Sequence, residues 1–279
     1  MNSIIRAPRI LVFDSGVGGL SILRELQRKL PLCEWTYASD NEAFPYGIKS
    51  ETELTERVDQ VLHGLLQIRA ADIIVVACNT ASTLTLPHIR RRFSQPIVGV
   101  VPAIKPAAAR SRSKVIGLLA TPATVTRPYT QELIQQFATD CTVIRLGSSE
   151  LVEIAEQKLG GEAPSLARLQ EILAPMQQHP QSSQMDTLVL ACTHFPLLRD
   201  ELRQVLPEHL EFIDSTEAIA RRVEFLLVEQ FGFTSDALRV PALEPQQNLA
   251  LFTRDTPAVQ RLRQPLSHFN LKQLTFVTV

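Results

Sequence analysis

The 279-residue chain is short of everything that would tie it to a membrane, a disulfide framework or a polyanion. No apolar run approaches the roughly 18 residues that a spanning helix needs. There are only 4 cysteines, Cys33, Cys78, Cys141 and Cys192, widely spaced and without a CxxC pair. Too few ligands cluster for a closed zinc site, and no metal is expected. Neither sign of charge dominates: Lys+Arg 28 against Asp+Glu 29 leaves a formal charge of -1. No global field then draws the chain to nucleic acid or to an anionic membrane. The one basic run, Arg90 to Arg92, reads as the solvated end of a helix. The opening MNSIIRAPRILVFD lacks a signal-peptide layout and leads straight into a strand-like run. The expectation is a cytoplasmic protein whose thiols stay reduced.

What is present is a regular alternation. The composition, 45% hydrophobic and 20% charged, suits one large or two medium globular domains. Short apolar runs read as strands: RILVF, EWTYAS, DIIVVA, KVIGLLA, CTVIRLG, DTLVLA, LEFID, NLALFT and QLTFVTV. Helical stripes separate most of them, such as Leu20, Leu23, Leu26 and Leu30, and Leu54, Val58, Val61, Leu62, Leu65 and Leu66. Such alternation predicts the α/β class, with mostly parallel sheets flanked by helices. Linker-like composition appears at Gly99 to Lys114 and at the loop Pro241 to Asn248.

One internal echo stands out. Val75-Val76-Ala77-Cys78-Asn79-Thr80 matches Val189-Leu190-Ala191-Cys192-Thr193-His194. Each is a buried strand, then Ala-Cys, then two hydrogen-bonding residues, then a helix start marked by Ser/Thr or Pro. The simplest geometry is two related α/β halves, each offering a cysteine at the carboxyl end of a strand, where open α/β sheets bind ligands. A thiol beside a helix N-terminus has its thiolate stabilised. Two such groups across one ligand can remove a proton from one face and return one to the other, as inversion at a carbon acid requires. Asn79, Thr80 and Thr193 can hold carboxylate and ammonium groups, and His194 can relay a proton. The plainer alternative is that a cysteine ending a core strand only fills space. Cys33 and Cys141, with no polar turn after them, read as structural.

FDSGVGGLS, between the first strand and first helix, invites a dinucleotide reading. Gly16 and Gly18 fit G-x-G-x-x-G, but position 21 is Ser, and Asp14 at the strand end would repel a pyrophosphate. Asp40 would otherwise be the ribose acid. The glycines then serve a close backbone approach. Asp14 can bind an ammonium group or orient a cysteine, or simply hold its own turn. In FPYGIKS, Pro45 and Gly47 fix a turn, and Tyr46 is either a lid or a loop aromatic.

Taken together, DSGVGGLSIL, FPYGIKS, VACNTAST, VGVVPAIKPA, GSSELVEIAE and LACTHFPLL closely resemble the glutamate racemase family. This is the cofactor-independent, two-cysteine type of the aspartate/glutamate racemase superfamily, and the likeness is strongest to its proteobacterial branch. The likeness runs from about Leu11 to Arg222, and the last fifty-odd residues carry no diagnostic motif. The resemblance implies interconversion of L- and D-glutamate for peptidoglycan, without pyridoxal phosphate or metal. It implies Cys78 taking the α-proton of D-glutamate and Cys192 that of L-glutamate, assisted by Asp14, His194 and Glu153. Implied substrate contacts are Asp14, Ser15, Tyr46, Gly47, Asn79, Thr80, Thr193 and His194. Two pseudo-symmetric α/β domains are implied, residues 1–100 with 214–279 and residues 101–213, with the active site in the cleft between them. The branch also implies a possible activator, UDP-N-acetylmuramoyl-L-alanine, and a monomer or homodimer. Racemisation of aspartate or another acidic amino acid, or a binding role such as gyrase inhibition, remain the alternatives.

Overall fold

The computed structural model describes residues 6–242 and 246–279, so part of the loop expected at Pro241 to Asn248 lies outside the described residues. Two parallel sheets organise the chain. The first begins with β1 (Arg9–Asp14), β2 (Glu34–Ser39), β3 (Ile73–Val76) and β4 (Ile97–Gly99). The second holds β5 (Val115–Ala120), β6 (Thr142–Gly147), β7 (Thr187–Leu190) and β8 (Glu211–Ile213). The chain then returns to the first sheet with β9 (Leu249–Phe252) and β10 (Gln273–Phe276). The spatial orders are β10-β9-β2-β1-β3-β4 and β6-β5-β7-β8, and each pair runs parallel. The α/β class and the parallel sheets expected from the alternation are what the chain adopts.

The local sequence explains these elements. The central strands β3 and β7 are buried at all four positions, as strands covered by helices on both faces must be. Helix α1 (Leu20–Lys29) buries Leu20, Ile22, Leu23 and Leu26. Helix α2 (Glu51–Ile68) is capped by Ser50, whose hydroxyl accepts from the Glu53 N–H at 3.3 Å, and Glu51 and Glu53 complement its N-terminal dipole. Its inner stripe, Leu54, Val58, Val61, Leu62 and Leu65, is buried against the sheet. Each such side chain contributes about 1.5–3 kcal/mol of burial. Further helices are α3 (Asn79–Arg92), α4 (Ile104–Arg110), α5 (Pro122–Thr126), α6 (Pro128–Phe137), α7 (Glu150–Leu159), α8 (Leu166–Gln177), α9 (Arg199–Val205) and α10 (Thr216–Phe231). Arg90 to Arg92 form the exposed end of α3, as their charge suggested.

The segment read as a linker is structured. It follows β4, a strand too short to stand out between Pro96 and Pro102, and it contains α4, which buries Ile104, Ala107 and Ala108. The crossing points between the sheets lie side by side, because the Ser215 hydroxyl donates to the Val101 carbonyl at 2.6 Å. No helix among the described residues is long and apolar enough to cross a membrane.

In both sheets the order turns back on itself at a central strand, β2-β1-β3 and β6-β5-β7. Connections leaving such a point depart on opposite faces and open a crevice beyond the carboxyl ends of the strands. The two crevices face one another.

Candidate active site

Each cysteine leaves its sheet at a matching point. The Ala77 N–H bonds the Phe13 carbonyl at 2.6 Å, and the Ala191 N–H bonds the Leu119 carbonyl at 2.8 Å. These are the last ladder bonds of β3 on β1 and of β7 on β5. Cys78 and Cys192 follow immediately, 6% and 7% exposed, and both line one cavity of about 180 Å³. That is below the roughly 300–1,000 Å³ of sites for drug-sized ligands, so the cavity suits a small metabolite. The expectation that the two strand ends face each other is met.

On the Cys78 side, the Ser15 hydroxyl lies 3.8 Å from the sulfur and 3.5 Å from Asp14 Oδ1. Asp14 itself is wholly buried and does not reach the cavity. Its Oδ1 accepts from the Ser15 N–H at 2.7 Å and its Oδ2 from the Gly19 N–H at 2.6 Å. The carboxylate therefore ties its own loop together. Burial raises the Asp14 carboxyl above the usual range, against the lowering influence of His194 and of the two N–H donors. The thiol of Cys78 is likewise pushed well up, by burial first and by the nearby Asp14 second. Although α3 begins at Asn79 and its backbone N–H groups lower the thiol, burial outweighs them.

The Cys192 side differs. No α-helix starts beside this cysteine: residues Phe195–Leu198 form a single 3-10 turn, and α9 begins only at Arg199. His194 Nδ1 lies 3.8 Å from Cys192 Sγ instead, and its Nε2 lies 2.7 Å from Glu156 Oε1. Burial pulls the imidazole down, but the contacts with Cys192 and Glu156 win, and His194 is raised well above its ordinary range. The tilted Phe44 ring, 6.1 Å between centroids, bounds the imidazole.

The acid that holds His194 is thus Glu156, not Glu153. Glu153 is exposed and borders the cavity, while Glu150 pairs with Arg168. Glu153 and Glu156 are three residues apart on α7, so helical spacing alone does not choose between them. The remaining expected contacts, Ser15, Tyr46, Gly47, Asn79, Thr80, Thr193 and His194, all line the cavity. Tyr46 contributes little of its polar end, because its hydroxyl donates to Asp40 at 2.6 Å, away from the ligand space. Thr121, missed from the sequence, also lines the cavity. It follows β5 as Ser15 closely follows β1, so the echo between LVFDS and GLLAT was the signal that could have found it.

The glycine loop serves the approach of the two halves rather than a phosphate. A Cβ on Gly18 would overlap the His194 ring and Thr193, and one on Gly16 would strike Glu156. The Val17 N–H donates to Glu156 Oε1 at 2.8 Å, and the Ser21 hydroxyl reaches the Thr193 carbonyl at 2.8 Å. Asp40, the would-be ribose acid, is committed to Arg57, Tyr46 and Thr253. Cys33 is buried and Cys141 half-buried, both away from the cavity. Among the described residues no group of three or more His, Cys, Asp or Glu is placed to hold a metal ion.

Known proteins resemble this chain in sequence and in fold. The model of the family Asp/Glu/Hydantoin racemase matches residues 20–223. Glutamate racemase of Pectobacterium atrosepticum is 50% identical over 267 residues, covering 96% of this chain and 90% of that protein. The crystal structure of Escherichia coli glutamate racemase in complex with L-glutamate and activator UDP-MurNAc-Ala is 45% identical, with a TM-score of 0.89 over 98% of this chain and 99% of that one. A glutamate racemase isoform from Bacillus anthracis matches with a TM-score of 0.79 at 26% identity, over 98% of each chain. With two cysteines at equivalent strand ends around one small cavity, and with relatives of this identity along nearly its whole length, the chain belongs to the glutamate racemases of the Asp/Glu/Hydantoin racemase family.

Proposed function

We propose that the chain interconverts L- and D-glutamate by two-thiol proton transfer at the α-carbon, supplying D-glutamate for peptidoglycan. The observation that carries this reading is the pair of cysteines emerging from matching ladder bonds into one cavity. One sulfur, as thiolate, takes the α-proton. The Cα–H bond breaks, an S–H bond forms, and the electron pair stays on the substrate, delocalised into its α-carboxyl group. The opposite thiol then gives its proton to the other face. The product is the mirror image, and the two sulfurs have exchanged protonation states. Each enantiomer therefore needs the opposite starting state of the pair.

The side chains around the thiols fit these roles. Cys192 exchanges its proton with His194, whose charge Glu156 balances. Cys78 is oriented by Ser15, which Asp14 holds in place from behind. Asn79, Thr80, Thr121 and Thr193 offer hydrogen bonds to the substrate's carboxylate and ammonium groups. We take residues 1–100 with 214–279 as one domain and 101–213 as the other, and we place the enzyme in the cytoplasm.

The activator of the Escherichia coli relative is proposed as a partner here too. An open hollow of about 610 Å³, away from the thiols and flanked by Arg90 and Arg222, has the room and charge for a nucleotide-diphosphate sugar.

The test is L-glutamate in D2O, alone and with UDP-MurNAc-Ala. Loss of optical rotation with deuterium appearing at the α-carbon is expected. Neither inversion nor exchange in either arm would overturn the reading. Faster inversion of aspartate than of glutamate would instead move the substrate to the shorter acid.

A further inference from the structure

The last fifty residues carry no site motif, yet β9 places one of them under the cavity wall. Phe252 ends β9 beside Ser39 of β2, and the Thr253 N–H bonds the Ser39 carbonyl at 3.1 Å. The Thr253 hydroxyl then donates to Asp40 Oδ1 at 2.9 Å and accepts the Glu42 N–H at 3.0 Å. Asp40 is completely buried. Its other partners are the Arg57 guanidinium from α2, at 2.9 Å and 2.6 Å, and the Tyr46 hydroxyl at 2.6 Å.

Those partners converge from three elements. Arg57 belongs to α2 and Thr253 follows β9, both parts of the first half, where β9 joins the sheet beside β2. Tyr46 belongs to the Phe44–Ile48 segment, which forms one wall of the cavity and carries Phe44 against His194. Tyr46 is 1% exposed and its ring packs on Phe13, so its hydroxyl is fixed inside the protein beside the cavity that the residue lines. A short 3-10 turn, Tyr46–Ile48, has little hydrogen bonding of its own to hold it. A buried carboxylate with charged and neutral donors on both oxygens is a strong anchor, because losing one partner leaves the others imperfectly satisfied.

We infer that Asp40 is a positioning residue for substrate binding, and that Thr253 of the C-terminal segment works through it to hold the Tyr46–Gly47 wall. This rests on the racemase reading above. It gives the motif-free C-terminal segment a task at the site, though none of its described residues lines the cavity. Neither thiol hangs on this anchor, because Cys78 and Cys192 are aimed by the Ala77 and Ala191 ladder bonds. The wall sets affinity and the ladders set chemistry.

The experiment compares Thr253→Val, Thr253→Ser and Asp40→Asn with the wild-type chain, measuring glutamate racemisation in both directions. Thr253→Val keeps the shape and removes one hydrogen bond, so KM is expected to rise about threefold to tenfold with kcat within about twofold. Because a racemisation has an equilibrium constant of one, kcat/KM must fall equally for both enantiomers. Thr253→Ser restores the hydroxyl and should restore KM. Asp40→Asn removes the charge opposite Arg57, and about a tenfold to hundredfold rise in KM is expected. Should Asp40→Asn fail to fold, as judged by circular dichroism, the Thr253 pair decides. A folded Thr253→Val with unchanged KM, or with kcat reduced at unchanged KM, overturns the inference. A wild-type chain that does not racemise glutamate overturns the reading beneath it instead.

Discussion

Cys78 and Cys192 leave their sheets one residue after equivalent ladder bonds, yet the groups behind them carry opposite charge character. Behind Cys78 stand a neutral hydroxyl and a buried carboxyl, and both burial and the acid favour the thiol. Behind Cys192 stands an imidazole backed by a carboxylate, a pair that keeps positive charge next to the sulfur. The sheets are related, but a reaction that swaps protons between two sulfurs benefits from unequal partners. Over the two directions of the reaction each sulfur both takes and gives a proton, and it does so beside a different partner. The strand ends match, and the residues behind them differ: Ser15 with Asp14 against His194 with Glu156.

The sharpest way to break this comparison is to remove one sulfur at a time. Cys78→Ala and Cys192→Ala should each lower racemisation at least about a thousandfold, the scale of a lost general acid/base. In D2O each variant should still exchange the α-proton of one enantiomer without inverting it, and the two variants should choose opposite enantiomers. Full activity in either variant, followed by polarimetry, would end the two-thiol account.

Glu156→Gln strikes one side only. It leaves the fold of α7 intact but withdraws the counter-charge from His194, and kcat should fall about tenfold to hundredfold. The pH dependence follows with a definite sign. A histidine raised by folding binds its proton more tightly in the native state, so its stabilisation is complete below the ordinary imidazole value. It is lost as pH rises through the elevated folded value. Urea unfolding of the wild type across that alkaline interval should show stability declining, and Glu156→Gln should flatten the decline. Glu153→Gln is the smallest change: an exposed acid at the rim, expected to alter kcat by no more than about twofold. Equal losses from Glu153→Gln and Glu156→Gln would remove the distinction drawn between them.

Much of the frame was legible in the amino-acid pattern. Nine of the strands announce themselves as apolar runs, and the Ala-Cys echo locates both thiols. β4 escaped because three residues between prolines carry too little periodicity, and the proline-rich stretch after it hid α4. The site was less readable where several neighbours share one chemistry. Glu150, Glu153 and Glu156 lie within two turns of α7, and only packing shows which one meets His194. Asp14 ends a strand beside a ligand space, but whether it faces the ligand or its own loop depends on two N–H bonds that no spacing encodes. The upward push of burial on the Cys78 thiol was not legible, because helix geometry is visible in a sequence and depth of burial is not.

A single oxygen, Glu156 Oε1, accepts both from His194 and from the Val17 N–H of the opposite half. Two equilibria therefore meet at one atom: protonation of a ring, and apposition of two bodies. Linkage makes them reciprocal, so whatever steadies the charged ring also steadies the joined halves, by the same free energy. Any parting of the halves that breaks the Val17 contact is thereby coupled to the basicity of the imidazole. Opening and proton inventory become two readings of one variable.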